Sequence, residues 1–136
     1  MALPNGAGGY QLGDGNISEV NLTVQPTPPT ATTGATLTVA QITSGILLGS
    51  PGTTASAYTL PAVATLEATV SSAKVNSAFD FSVCNVNGSS TGVITMTAGT
   101  GWTVVGLATV AATAGTTGLF RAVKTGDGTW SLYRLA

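Results

Sequence analysis

Cys84 is the one thiol in the sequence, and no histidine exists to draw its proton. A serine or cysteine nucleophile needs a base within hydrogen-bond reach. The only carboxylates are Asp14, Glu19, Glu67, Asp80 and Asp127. A pair of them would in principle suffice to cleave a glycosidic bond, but none lies in a stretch with the look of a cleft motif. Cys84 sits between Val83 and Asn85 in an apolar run. Alone, it forms no intramolecular disulfide and no thiolate cluster, so a small, buried, inert thiol is expected. Asp14-Gly15-Asn16 and Gly126-Asp127-Gly128 look faintly like calcium loops. Each supplies one carboxylate where a hard cation takes six or more oxygens, so both read as turns. Gly13 and Gly15 lack the strand–helix setting of a phosphate loop. Trp102 and Trp130 could stack on a sugar, but core or subunit contact is the preferred reading. Asn16-Ile17-Ser18, Asn21-Leu22-Thr23 and Asn87-Gly88-Ser89 read as chance sequons in a Thr- and Ser-rich chain. The expectation is a protein without enzyme activity, cofactor or metal.

The totals point the same way. Of 136 residues only 7% are charged, 43% are hydrophobic, and the formal net charge is −1. Soluble domains average about 25% charged residues. One domain with a real core fits this length. A chain so poor in charge is expected to bury faces against neighbours, with a neutral Thr/Ser/Gly surface as the alternative. Lys74, Arg121, Lys124 and Arg134 form no basic row, so no nucleic-acid partner is expected. The longest apolar runs, near Ile46–Leu48 and Val104–Ala112, fall short of the ~18 residues that span a bilayer, so no membrane is expected. Met1-Ala2-Leu3-Pro4-Asn5 carries neither a basic region nor an apolar core, so no secretion signal is expected.

Residues 1–30 read as an extended N-terminal arm with a Pro-rich linker, and 31–136 as the body. Gly, Pro and Asn dominate 1–17, with Tyr10, Leu12 and Ile17 as isolated apolar anchors. Two readings stay open there: an arm ordered by lying on another surface, or a leader without fixed structure. Ser18–Val24 alternates as a half-buried strand would. Pro26, Pro28 and Pro29 then hold the chain extended. Thr36–Ile42 reads as a strand with Leu37, Val39 and Gln41 on one face, extended by Gly45–Leu48 after a kink. Gly49–Gly52 is a turn and Ala57–Leu60 a strand stopped by Pro61. Val63, Leu66 and Val70 recur at helical spacing, so one short helix is expected over 62–73. Glu67 within it and Lys74 near its end are expected at most to suit the helix dipole.

The chain from 78 to 135 then reads as consecutive antiparallel strands. Phe79, Phe81 and Val83 should face the core. Asn87-Gly88 should turn a hairpin into Val93–Ala98, with Ile94 and Met96 facing the Phe pair. Trp102, Val104 and Leu107 begin the next pass, and Ala114–Gly118 turns it. Leu119–Thr125 and Thr129–Leu135 flank Gly126-Asp127-Gly128, which should bring Phe120 near Trp130 or Tyr133. About eight short strands predict an all-β fold: an antiparallel β-sandwich or jelly-roll-like barrel with at most one short helix.

Residues 57–136 carry Tyr58-Thr59-Leu60-Pro61, a helix-like stretch, FDFSVCNVNGSSTGVITMTAGTGWTVVG, and a closing FRAVKTGDGTWSLYRL. This pattern resembles a structural module of tailed bacteriophages found in capsid decoration (cement) proteins and in head or tail fibres. The resemblance implies a compact β-domain that associates as a homotrimer on the virion. One arm and one small body, with no shaft or tip, look more like a decoration protein than a fibre. Its partner would be the major capsid protein of the shell. Tyr10, Leu12 and Ile17 would touch the capsid. Phe79, Phe81, Trp102, Phe120, Trp130 and Tyr133 would serve as core or trimer contacts. A fibre adhesin binding host saccharide is the main rival, and a barrel carrying a lipid or other small ligand a minor one.

Overall fold

Polar and apolar residues alternate along Ala78–Asn85, and the strand they form buries Phe81, Val83 and Asn85 on one side. That pleat is the centre of a computed structural model that describes residues 22–136. The expected capsid contacts Tyr10, Leu12 and Ile17 lie outside the described residues, as do residues 18–21 of the strand expected over 18–24. Its remainder is not strand: Leu22 and Val24 are 89% and 96% exposed.

Among the described residues the strands are Thr30–Ala31 (β1), Ala35–Thr36 (β2), Ile46–Gly49 (β3), Ser56–Thr59 (β4), Ala78–Asn85 (β5), Ile94–Thr97 (β6), Trp102–Val105 (β7), Thr109–Val110 (β8), Thr116–Gly126 (β9) and Thr129–Arg134 (β10). Two short helices, Val39–Thr43 (α1) and Val63–Thr69 (α2), interrupt them. The fold is β-rich, in two sheets. The first has the order β1-β3-β5-β9-β10-β7 and the second the order β2-β4-β6-β8.

The order reveals a winding. Strands β1 to β6 alternate between the sheets, and each return runs parallel to the strand before it. Thr30 pairs with Leu48, and Leu48 with Cys84, in the first sheet. Ala35 pairs with Tyr58, and Tyr58 with Met96, in the second. Parallel neighbours need a crossover between them. Here the strand of the other sheet, with α1 or α2 before or after it, supplies it. Antiparallel pairing appears only later, in β5–β9, β9–β10 and β6–β8, and β7 returns parallel to β10.

Several expectations are therefore corrected. The strands are not uniformly antiparallel, which departs from a jelly roll. Asn87-Gly88 turns no hairpin, because β5 and β6 lie in different sheets. The helices number two. Residues 36–42 are not one strand, because Thr38 caps α1. Gln41 N donates to Thr38 Oγ1 at 3.3 Å, and Thr38 N to Gln41 Oε1 at 2.8 Å, the reciprocal box that starts a helix. Val39 and Ile42 then both reach the core from α1. The helix over 62–73 forms as Val63–Thr69 with Val63 and Leu66 buried. The β9–β10 hairpin forms about Gly128 at φ +71°. Phe120, however, is in register with Arg134 and stacks on Phe81, centroids 5.8 Å apart, away from Trp130 and Tyr133. Leu107 faces solvent, not the core.

One apolar cluster joins both sheets. Leu47, Phe81, Val83, Phe120, Leu132 and Trp130 come from the first, and Tyr58, Ile94, Met96 and Val110 from the second. Each such side chain contributes roughly 1.5–3 kcal/mol when removed from water. Gly49 marks how close the windings come. A Cβ there would fall 2.5 Å from Ile94 Cδ1 and 3.0 Å from the Tyr58 hydroxyl.

Asn85 pins the windings together at the end of β5. It is fully buried. Its Nδ2 donates to the carbonyls of Gly92 at 2.9 Å and Ala111 at 3.0 Å, and its Oδ1 accepts from Gly88 N at 2.6 Å. Gly92 leads into β6 and Ala111 follows β8, so one amide ties the first sheet to two segments beside the second. Asn85→Leu leaves these partners stranded. Urea unfolding should show a loss of about 2–4 kcal/mol, and an unchanged midpoint would refute the role.

Candidate functional site

Phe81, Phe120 and Trp130 are buried, Trp102 nearly so, and Phe79 is half-buried. Phe79 and Trp102 flank Trp130 at centroid distances of 5.8 and 6.0 Å. These five residues form an aromatic core, with Trp102 Nε1 donating to the Pro61 carbonyl at 2.7 Å. Tyr133 alone of the six expected contact residues is exposed. Neither Trp face is open to a sugar ring.

Beside Trp130 a shallow hollow of about 230 Å³ opens between the end of α2 and the start of β5. Val70, Ala73, Phe79 and Trp130 supply its apolar walls, with Ser72 and Ser77 at its rim. No titratable side chain lines it. Glu67 lies behind Trp130. Its Oε2 accepts from Trp130 Nε1 at 3.1 Å and from Lys124 Nζ. The dipole role expected for Glu67 is thus replaced by a pairing across 57 residues of sequence. The Lys124 ammonium, then the Trp130 indole N–H, hold the Glu67 carboxyl below its ordinary range. An ionised, doubly bonded carboxylate is not a proton donor at neutral pH. Asp80 is likewise held low by Arg121, which it meets through Nε at 2.7 Å and Nη2 at 3.0 Å. Cys84 shares the outer side of β5 with Ser82 and is half-exposed, not buried as expected. Hydroxyls, carboxylates and the thiol do not converge among the described residues.

What the fold does build is two broad outer faces. On the second sheet Thr36, Thr59 and Thr97 stand in register across β2, β4 and β6, with the Thr59 and Thr97 hydroxyls 2.9 Å apart. Ala57, Thr95 and Thr109 form the next row. No charge interrupts either row. The outer face of the first sheet carries Ile46, Leu48, Leu119 and Val123, all half-buried, and the exposed Tyr133 and Val105. Asp80 and Arg121 are its strand-borne charges, and they neutralise each other. Sequence reasoning missed Val105, Leu107 and Leu135 as surface residues. The alternation Ser131, Tyr133, Leu135 opposite the core-facing Trp130 and Leu132 was the available signal.

Compared with known proteins, the chain matches no family model, no curated protein and no solved structure.

The Glu67 pairing has a measurable acid signature. A carboxylate whose folded pKa is depressed contributes stability that is complete above its ordinary value, here 4.5, and is lost as pH falls from there through the lowered folded value. Wild-type urea midpoints should fall over that window. Glu67→Gln should fall less steeply, and Trp130 emission should shift with the wild-type transition. Identical acid limbs would refute the coupling.

Proposed function

We propose that this protein is a structural component of a bacteriophage virion, a decoration protein that binds the outside of the capsid as a homotrimer and stiffens the shell. On this reading the two sheets are the layers of a β-sandwich body, and the segment before Thr30 is the arm that reaches the capsid. The observation that carries the reading is the pair of wide sheet faces without an unpaired strand-borne charge, on a chain with 7% charged residues. Faces of Thr, Val, Leu and Tyr whose one ion pair closes on itself avoid the cost of burying a lone charge and suit permanent contact.

A clamp needs contact area and rigidity. Rigidity comes from a core in which Trp130, Phe79 and Trp102 interlock and Asn85 joins both sheets. Attachment through three arms at once multiplies weak footholds, because the second and third bind at high effective concentration. Cyclic symmetry about a threefold capsid position gives each copy the same environment. The adhesin reading gains nothing from Trp102 and Trp130, whose faces are consumed in the core.

Purified protein at micromolar concentration should scatter light as three chains. Deleting residues 1–17 should leave the far-UV spectrum intact while occupancy on stripped capsids falls at least tenfold. A monomeric wild type would remove the trimer, and undiminished occupancy would remove the arm.

A further inference from the structure

Four large apolar side chains gather at one corner of the first sheet. Val105, Leu107, Tyr133 and Leu135 are 44%, 73%, 37% and 45% exposed. Their closeness follows from register. Tyr133 is the parallel partner of Val105. Leu135 N donates to the Leu119 carbonyl at 2.8 Å, which prolongs the β9–β10 ladder and sets half-buried Leu119 beside Leu135. Leu107 follows two residues after Val105. Together they expose a few hundred Å² of apolar surface, the size at which a patch on a soluble domain marks a contact.

We propose that this corner is where copies of this chain dock on one another, three such corners converging on the threefold axis; the inference rests on the homotrimer reading above. Charge disfavours a strongly charged partner here and admits a second copy of the chain. Arg121, the register partner of Tyr133, is bound at both Nε and Nη2 by Asp80. Arg134, between Tyr133 and Leu135, turns away: its Nη1 donates to the Thr109 carbonyl of the second sheet, and its Nε to the Ala136 carbonyl at 3.0 Å. The corner therefore presents no net field, so an identical corner meets no like charge. A strongly charged partner would find no counter-ion there.

The edge points the same way. β1, β7, β2 and β8 end the two sheets, and β7 alone is longer than two residues. Soluble proteins protect such an edge with Lys, Pro, a bulge or a covering element. Trp102-Thr103-Val104-Val105 has no Lys or Pro, and its pairing with β10 runs without a register shift. A docked copy covers it. The apolar centre with Thr103 and the Asp80–Arg121 pair around it has the layout of an oligomer contact, which needs roughly 800 Å² from each partner.

The test is a double variant, Leu107→Glu with Leu135→Glu, beside a control, Ala57→Glu, on the exposed outer face of the second sheet. Light scattering at 10–50 µM (about the range in which weak oligomers form), far-UV spectra and capsid binding are read together. The expected result is a folded single chain for the double variant, and wild-type mass for Ala57→Glu. If the double variant loses its spectrum, Leu107→Glu alone should raise the concentration of half-assembly at least tenfold. A double variant that still assembles like wild type overturns the docking corner and leaves the decoration reading standing. A wild type that is monomeric but binds capsids overturns the corner and the trimer together. A monomeric wild type that does not bind capsids overturns the decoration reading as well.

Discussion

Every passage of this chain between its sheets must satisfy backbone groups that water no longer reaches. Buried side-chain donors from three places meet that demand. Asn85 serves the carbonyls of Gly92 and Ala111, the Tyr58 hydroxyl serves Ala31 at 3.0 Å, and Trp102 Nε1 serves Pro61. Each bond joins a strand to the flank of a different winding, so each fixes one layer against the next. Burial also pushes the Tyr58 hydroxyl pKa up, which keeps it a donor. The packing of Phe81 on Phe120 and of Phe79 on Trp130 depends on these layers being held in register.

The same economy governs charge. Nine formally charged side chains serve 136 residues. Two of the pairs close on themselves, Asp80 with Arg121 and Glu67 with Lys124, and Arg134 is spent on backbone carbonyls. Apart from the Asp80–Arg121 pair, the outward sheet faces carry uncharged residues, with Thr and aliphatics foremost among them. The placement of Glu67 matters here: by binding Lys124 and Trp130 together it pairs a cation and orients one of the two core indoles.

The strands from Phe79 onward were legible because period-2 alternation is a local property, and Ile94, Met96 and Leu132 face inward as it requires. The α2 helix was legible from Val63 and Leu66. Partnership was not. Alternation says which side of a strand is buried but not whether its neighbour runs parallel or antiparallel, and Asn87-Gly88 invited a hairpin where the chain crosses between sheets. The α1 segment was misassigned because Leu37 and Val39 fit a strand, while the Thr38–Gln41 capping signal went unused. For the contact residues the lesson is similar. Large aromatics attract attention, but Phe81, Phe120 and Trp130 are needed inside, and the surface is marked instead by unassuming Val105, Leu107 and Leu135.

The winding also dictates the tempo of folding. β3 cannot find β5 until the intervening loop has closed, and the central β5 lacks its other neighbour until Thr116–Gly126 has been synthesised. Topologies dominated by such distant pairings reach the native state slowly, over milliseconds to seconds for small domains. Until then the growing sheet offers an unsealed rim to any strand nearby. A chain built this way stays open to wrong pairing until residues 116–134 arrive, because β9 then covers the free side of β5 and β10 joins β7 to the sheet.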